Sequence, residues 1–185
     1  MVPDIIAFGK AASSGYTPLG GVVFSDEIRQ SFVDKGESFA HVFTYVNNPV
    51  AMRVCGTVLD IIAEEGITDH VVQMGDYLAE RARGLAEHAV VGDVRSKGLM
   101  MGIELVRDKE SKTPIAAEEA IAARGTGLAL DKGLHISGVQ GVADWVRGDD
   151  LRFYPPLIIT REQIDTAIDI IDEVLGELTR EAGLG

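Results

Sequence analysis

Apolar side chains recur at three- and four-residue spacing in three stretches of the chain, and each stretch predicts a helix with one buried face. Over residues 48–65 the stripe is Ala51, Val54, Cys55, Val58, Leu59 and Ile62. Asn48 suits an N-cap there, Pro49 suits the first turn, where its missing N–H costs nothing, and Gly66 closes the helix as C′. Thr68 is expected to cap a second helix carrying Val71, Met74, Leu78, Ala82 and Leu85. The last helix opens at Thr160 with the capping box Thr160-x-x-Gln163, and Ile159 and Ile164 are placed to staple its first turn. Its stripe runs Ile164, Ala167, Ile168, Ile171, Val174, Leu175 and Leu178. The alanine-rich stretch 116–131 predicts a weaker helix, because Gly125 and Gly127 cost it about 1 kcal/mol each.

Short apolar runs between these stretches predict strands at 4–8, 22–24, 98–106, 134–136 and 151–154. The first reads as buried, and the last is stopped by Pro155-Pro156. Ser25 is placed to cap a helix at Asp26-Glu27, whose carboxylates suit the positive helix end. Segments 9–21, 108–114 and 137–150 read as loops, and Asp149-Asp150 reads as a surface pair at a turn. The pattern predicts an α/β chain in three parts. Residues 1–65 are part of a sheet domain, 66–88 form a bridging helix, and 89–185 form a smaller α+β domain.

Composition narrows the function. Acidic residues number 29 and basic residues 17, a net charge of −12. That balance argues against nucleic-acid partners and against docking on anionic membranes. No apolar run approaches the ~20 residues of a membrane span, and the first residues lack the pattern of a signal peptide, so the expected compartment is the cytoplasm. Cys55 is the one cysteine, which excludes an intrachain disulfide and a multi-thiolate metal site; it reads as an inert core thiol. His41, His70, His88 and His135 have no metal-ligand spacing, so no metal is expected.

Lys10 is the first candidate for chemistry. It follows a strand and a glycine inside a loop of small residues. A lysine held among apolar neighbours can have its pKa lowered, and a neutral amine can form a Schiff base with an aldehyde. The same local pattern also describes a solvated lysine in a turn. A P-loop is excluded, because Ala11 follows Gly9-Lys10 and Asp4 stands five residues before Gly9. No G-x-G-x-x-G opens a helix after a strand either.

Four ordered segments carry a more specific signal. They are Asp4-Ile5-Ile6-Ala7-Phe8-Gly9-Lys10-Ala11 with Ser14-Gly15-Tyr16-x-Pro18-Leu19-Gly20; Phe43-Thr44-Tyr45-x-Asn47-Asn48-Pro49-x-Ala51; Val94-Arg95-x-x-Gly98-Leu99-Met100-x-Gly102-Ile103-Glu104-Leu105; and Leu151-Arg152-Phe153-x-Pro155-Pro156-Leu157. Together they resemble the class III aminotransferases, pyridoxal-phosphate-dependent enzymes of fold type I, over nearly the whole chain. The resemblance implies a partial large-domain sheet followed by the α+β small domain, with pyridoxal 5′-phosphate as cofactor. It implies that Lys10 holds the cofactor as a Schiff base and moves the proton during transfer. It assigns Thr44 to the cofactor phosphate across a dimer interface and Arg152 to a substrate carboxylate. Arg147 is a less suited substitute for Arg152, while Arg95 and Gly98 read as architectural.

The implied reaction moves an amino group from an amino donor to a 2-oxo acid. The family's pyridinium-pairing aspartate, glycine-rich phosphate segment and ring-stacking aromatic have no counterpart here. The expectation is therefore a C-terminal part of the subunit that is inactive alone and needs a homodimer or a missing N-terminal half. Two other readings stay open at this level. One is a non-catalytic dimerisation module; the other is a related racemase, aminomutase or decarboxylase.

Overall fold

The computed structural model describes residues 2–41 and 44–184; Met1, Val42, Phe43 and Gly185 lie outside the described residues. The chain divides into two units, Met1–Ile67 and Thr68–Gly185. In the first, β1 (Ile5–Gly9) and β2 (Gly20–Phe24) form an antiparallel pair from Ile5↔Phe24 to Gly9↔Gly20. Helix α1 (Asp26–Asp34) follows, with Ser25 at the N-cap position as expected but without a capping bond from its hydroxyl.

Helix α2 (Pro49–Glu64) has the ends read from its sequence. The Asn48 carboxamide oxygen accepts the N–H groups of Val50 and Ala51 at 3.0 and 3.2 Å, and Gly66 takes the left-handed φ of 63° just beyond Glu65. Only Ala51 and Cys55 of its stripe are fully buried. The expected burial of strand 4–8 is not met: Ile5 is 59% exposed, and Ile6 and Phe8 are exposed as well. A two-stranded ribbon has two faces, and within the described residues neither face of this one is covered.

The second unit is a sheet with helices on one face. Its strands are β3 (Val91–Lys97), β4 (Met100–Asp108), β5 (Thr113–Pro114), β6 (Ser137–Gln140) and β7 (Asp149–Phe153). The order is β3-β4-β7-β6, all antiparallel, with β5 pairing β4 at its far end. Helices α3 (Ile67–Arg81), α4 (Ile121–Asp131) and α5 (Arg161–Glu181) supply the rest of the core. All seven residues of the α5 stripe are buried. Its capping box is formed, with the Gln163 N–H on the Thr160 hydroxyl and the Thr160 N–H on the Gln163 side chain. Facing the stripe are Met101, Ile103 and Leu105 of β4, and Leu151 and Phe153 of β7.

Several local expectations are corrected. Thr68 lies inside α3, which opens at Ile67. Strand β3 went unread, since only Val91 and Val94 in it are apolar; its partner β4 makes it a strand. The short strand lies at 137–140 instead of 134–136, and the expected loop 137–150 is a hairpin joining β6 to β7. The helix expected over 116–131 begins only at Ile121, after a short 3₁₀ turn and a left-handed Ala120.

Helix α3 and the 3₁₀ turn after it (Ala82–Glu87) belong to the second unit's core through Met74, Leu78, Ala82 and Leu85. Asp165 of α5 accepts from the Tyr77 hydroxyl at 2.7 Å and from Arg81 at 2.6 Å, which ties α3 to α5. Those two donors hold the Asp165 carboxyl below its ordinary pKa. Gly75 meets Gly98 backbone to backbone: a Cβ on Gly75 would stand 2.5 Å from the Gly98 Cα. The architectural role expected of Gly98 is therefore a close backbone approach to a helix.

Candidate active site

Lys10 stands where β1 ends. Its φ of 50° is in the left-handed region that a non-glycine residue rarely occupies. The turn it opens (Lys10–Ser13) is held from inside by Ser13, which is buried and donates its hydroxyl to the Thr17 carbonyl at 2.6 Å. The N–H groups of Ser14 and Tyr16 close the turn on the carbonyls of Ala11 and Ser13. Helix α2 packs against this turn. The side chain of Lys10 is exposed, and its amine makes no hydrogen bond or ion pair among the described residues. A strained backbone fixed by a buried serine thus presents an uncommitted primary amine.

Thr44 belongs to the same unit. It lies exposed in the turn 44–47 that leads into α2, just before the left-handed Asn47. Phe43, which opens that motif, lies outside the described residues.

Arg152 belongs to the second unit, on the open face of β7. Its Nε and Nη2 donate to Asp150 Oδ2 at 2.9 and 2.8 Å. The Asp150 carboxylate, as hydrogen-bond acceptor, pushes the guanidinium pKa further up, so Arg152 is charged at any working pH. Asp149 and Asp150 correct the sequence reading: both are buried on a strand and neither lies in a surface turn. Asp149 faces the helices and accepts the Ala122 N–H at 2.6 Å, which caps α4 from a distance of 27 residues along the chain. Burial raises its pKa, against the lowering effect of that N–H. Asp150 points the other way, to Arg152. Strand alternation in Asp149-Asp150-Leu151-Arg152-Phe153 is the signal that could have paired them, since residues two apart share a face.

Arg147 is engaged elsewhere. Asp144 accepts the N–H groups of Val146 and Arg147 at 3.1 and 2.6 Å, and Arg147 Nε at 2.8 Å. These bonds, the Arg147 backbone one foremost, hold the Asp144 carboxyl at about 2. A carboxyl whose folded pKa lies below its ordinary 3.8 stabilises the turn above that pH and stops doing so as the pH falls towards 2. Trp145, the chain's one tryptophan, sits at this tip and is 96% exposed. Its emission is expected to change between pH 4 and 2 in the native chain, and Asp144→Asn should remove that step. An emission profile unchanged by the substitution overturns the assignment.

The family model for aminotransferase class III matches residues 1–175. The taurine–pyruvate aminotransferase of Bilophila wadsworthia is 33% identical over 98% of this chain and 40% of its own length. The solved (S)-enantioselective omega-transaminase of Thermomicrobium roseum superposes with a TM-score of 0.87 at 34% identity, covering 96% of this chain and 38% of that one. The omega-transaminase of Pseudomonas jessenii, solved in complex with PMP, gives 0.85 at 29% identity over all of this chain and 40% of that one. The chain belongs to the class III aminotransferases. It spans about two fifths of the length of these relatives, and over that span its fold is that of the fold-type I pyridoxal-phosphate-dependent transferases. Among the described residues, no helix is long and apolar enough to cross a membrane.

Proposed function

We propose that this chain supplies Lys10, Thr44 and Arg152 to a transaminase site that moves an amino group from an amino donor to a 2-oxo acid, with pyridoxal 5′-phosphate as cofactor. The observation that carries the reading is the exposed, unpaired Lys10 amine on its strained and braced turn. The residues present fit the cofactor chemically: an amine for its aldehyde, and a hydroxyl with a neighbouring N–H for its phosphate. When bound, pyridoxal phosphate supplies the electron sink that stabilises negative charge on the substrate carbon.

The rest falls to the chain. Lys10 would hold the cofactor through its amine, and the same amine is placed to take a proton from the substrate carbon and return one. Thr44 donates to phosphate oxygens. The assignment of its partner to a second copy makes the working assembly a homodimer. Arg152, charged and held in one plane by Asp150, takes a substrate carboxylate. We place the protein in the cytoplasm on the same reading.

The test is a pyridoxal-phosphate titration of the purified chain followed by visible absorption, borohydride reduction and peptide mapping. Selective labelling of Lys10 is expected. Labels scattered over Lys35, Lys97 and the other lysines would falsify the assignment.

A further inference from the structure

On the open face of the second unit's sheet the side chains stand in rows across the strands. The register places Asp93, Glu104 and Asp150 in one row. Arg95, Gly102 and Arg152 form the next, and Lys97 with Met100 the one after. Arg95 and Arg152 thus lie on strands two apart, about 10 Å at the backbone. Gly102 is between them, and a Cβ there would meet nothing within 4 Å, so the row has a gap at its centre.

Each arginine is braced in the same way by the acid two residues before it. Arg95 Nη1 is 3.2 Å from Asp93 Oδ2, and Arg152 Nη2 is 2.8 Å from Asp150 Oδ2. The two braces differ in depth. The Arg95 and Asp93 side chains are 65% and 45% exposed, against 34% and 12% for Arg152 and Asp150. A solvated pair of the first kind is weak, so Arg95 can turn to a ligand at little cost, whereas Arg152 is held as a fixed anchor. Above the gap is an open depression of about 370 Å³, whose charged lining is Arg95, Lys97 and Arg152 against Asp150 alone. Arg95 and Arg152 each have an acid partner, so Lys97 supplies the unmatched charge, and a ligand carboxylate has to take the exposed Arg95 from Asp93.

We infer that this depression binds a small dicarboxylate, with one carboxylate on Arg152 and the other on Arg95, Lys97 adding charge and Gly102 leaving room for the carbon chain. The inference rests on the reading of Arg152 as a carboxylate ligand and deepens it: the amino acceptor is a dicarboxylic 2-oxo acid in preference to a monocarboxylic one. A monocarboxylate fills one guanidinium fork and leaves the second cation unused, while a dicarboxylate engages both.

Calorimetric titration of the purified chain with 2-oxoglutarate and with pyruvate, at low ionic strength, tests this. The native chain is expected to bind 2-oxoglutarate at least about tenfold more tightly, the effect of one further charge-assisted contact. Arg95→Gln should bring 2-oxoglutarate down to the affinity of pyruvate. Gly102→Val keeps every charge and suits a strand, and it should weaken 2-oxoglutarate by filling the gap. Arg152→Gln should weaken both ligands. If Arg152→Gln weakens both while Arg95→Gln and Gly102→Val leave 2-oxoglutarate where it was, the dicarboxylate subsite is wrong and the carboxylate role of Arg152 stands. If Arg152→Gln changes neither ligand, the role of Arg152 falls and the subsite with it. Circular dichroism of each variant separates a lost fold from a lost contact.

Discussion

Replacing Lys10 with alanine is expected to abolish covalent capture of pyridoxal phosphate by this chain, and in an assembled transaminase to cost at least the roughly 10²–10⁴-fold that positioned proton transfer supplies. The argument begins at the backbone. Lys10 has a φ of 50°, which is unfavourable for any side chain, and a hydroxyl buried beneath it keeps the turn closed. A residue placed for stability alone at such a position would be glycine. Lys10→Gly therefore separates the two demands: capture should vanish, while the turn becomes more stable by up to about 1 kcal/mol. Amide exchange at Ser14 and Tyr16, whose N–H groups close the turn, reads the stability, and borohydride trapping reads the capture. A Lys10→Gly chain that still carries one selectively trapped cofactor removes Lys10 from the reaction. A turn that opens more readily in that variant removes the strain from the account.

What could be read from the sequence is what local chemistry decides. Helices α2 and α5 have caps in the primary sequence, Asn48-Pro49 and Thr160-x-x-Gln163, and apolar stripes long enough to fix their phase. The motif around Lys10 was legible for a similar reason, because a strand, a glycine and a small-residue loop are contiguous. Features decided by distant partners were not legible. Strand β3 has two apolar residues in seven and exists because β4 pairs with it from Lys97↔Met100 onward. Asp149 reads as a surface acid because the one N–H it caps, that of Ala122, lies 27 residues away, and Asp150 because Arg152 reads as a free substrate ligand. Gly125 looked like a weakness in α4. A Cβ there would press on Leu151 and Leu178 at 3.1–3.2 Å, so the glycine is what lets the helix seat on β7 and α5. The pairing of Arg152 with Asp150 changes the chemistry of the site more than any of these. The guanidinium is oriented and partly neutralised before any ligand arrives, and Asp150, which the sequence presents as a surface acid, sets both properties.

The boundary of the second unit gives the other large expected effect. A polypeptide of residues 68–185 is expected to unfold in urea as one cooperative transition, whereas residues 89–185, the domain outlined by the sequence pattern, should not. Both contain the whole sheet, α4 and α5, so strand pairing does not distinguish them. The shorter polypeptide lacks Met74, Leu78 and Leu85, which are buried in the same cluster as Ile103, Leu105 and Ile171. Burying three such side chains contributes about 5–9 kcal/mol. That is comparable to the whole net stability of a domain, about 5–15 kcal/mol. It also lacks the Tyr77 and Arg81 side chains that Asp165 accepts from, leaving that carboxylate on α5 with no donor from α3. The 89–185 polypeptide should bind the dye ANS, keep helical far-UV circular dichroism and show no sharp urea midpoint, as expected where secondary structure outlasts packing. A cooperative transition for 89–185 at the midpoint of 68–185 would show that α3 rests on the domain without stabilising it, and the boundary would move back to residue 89.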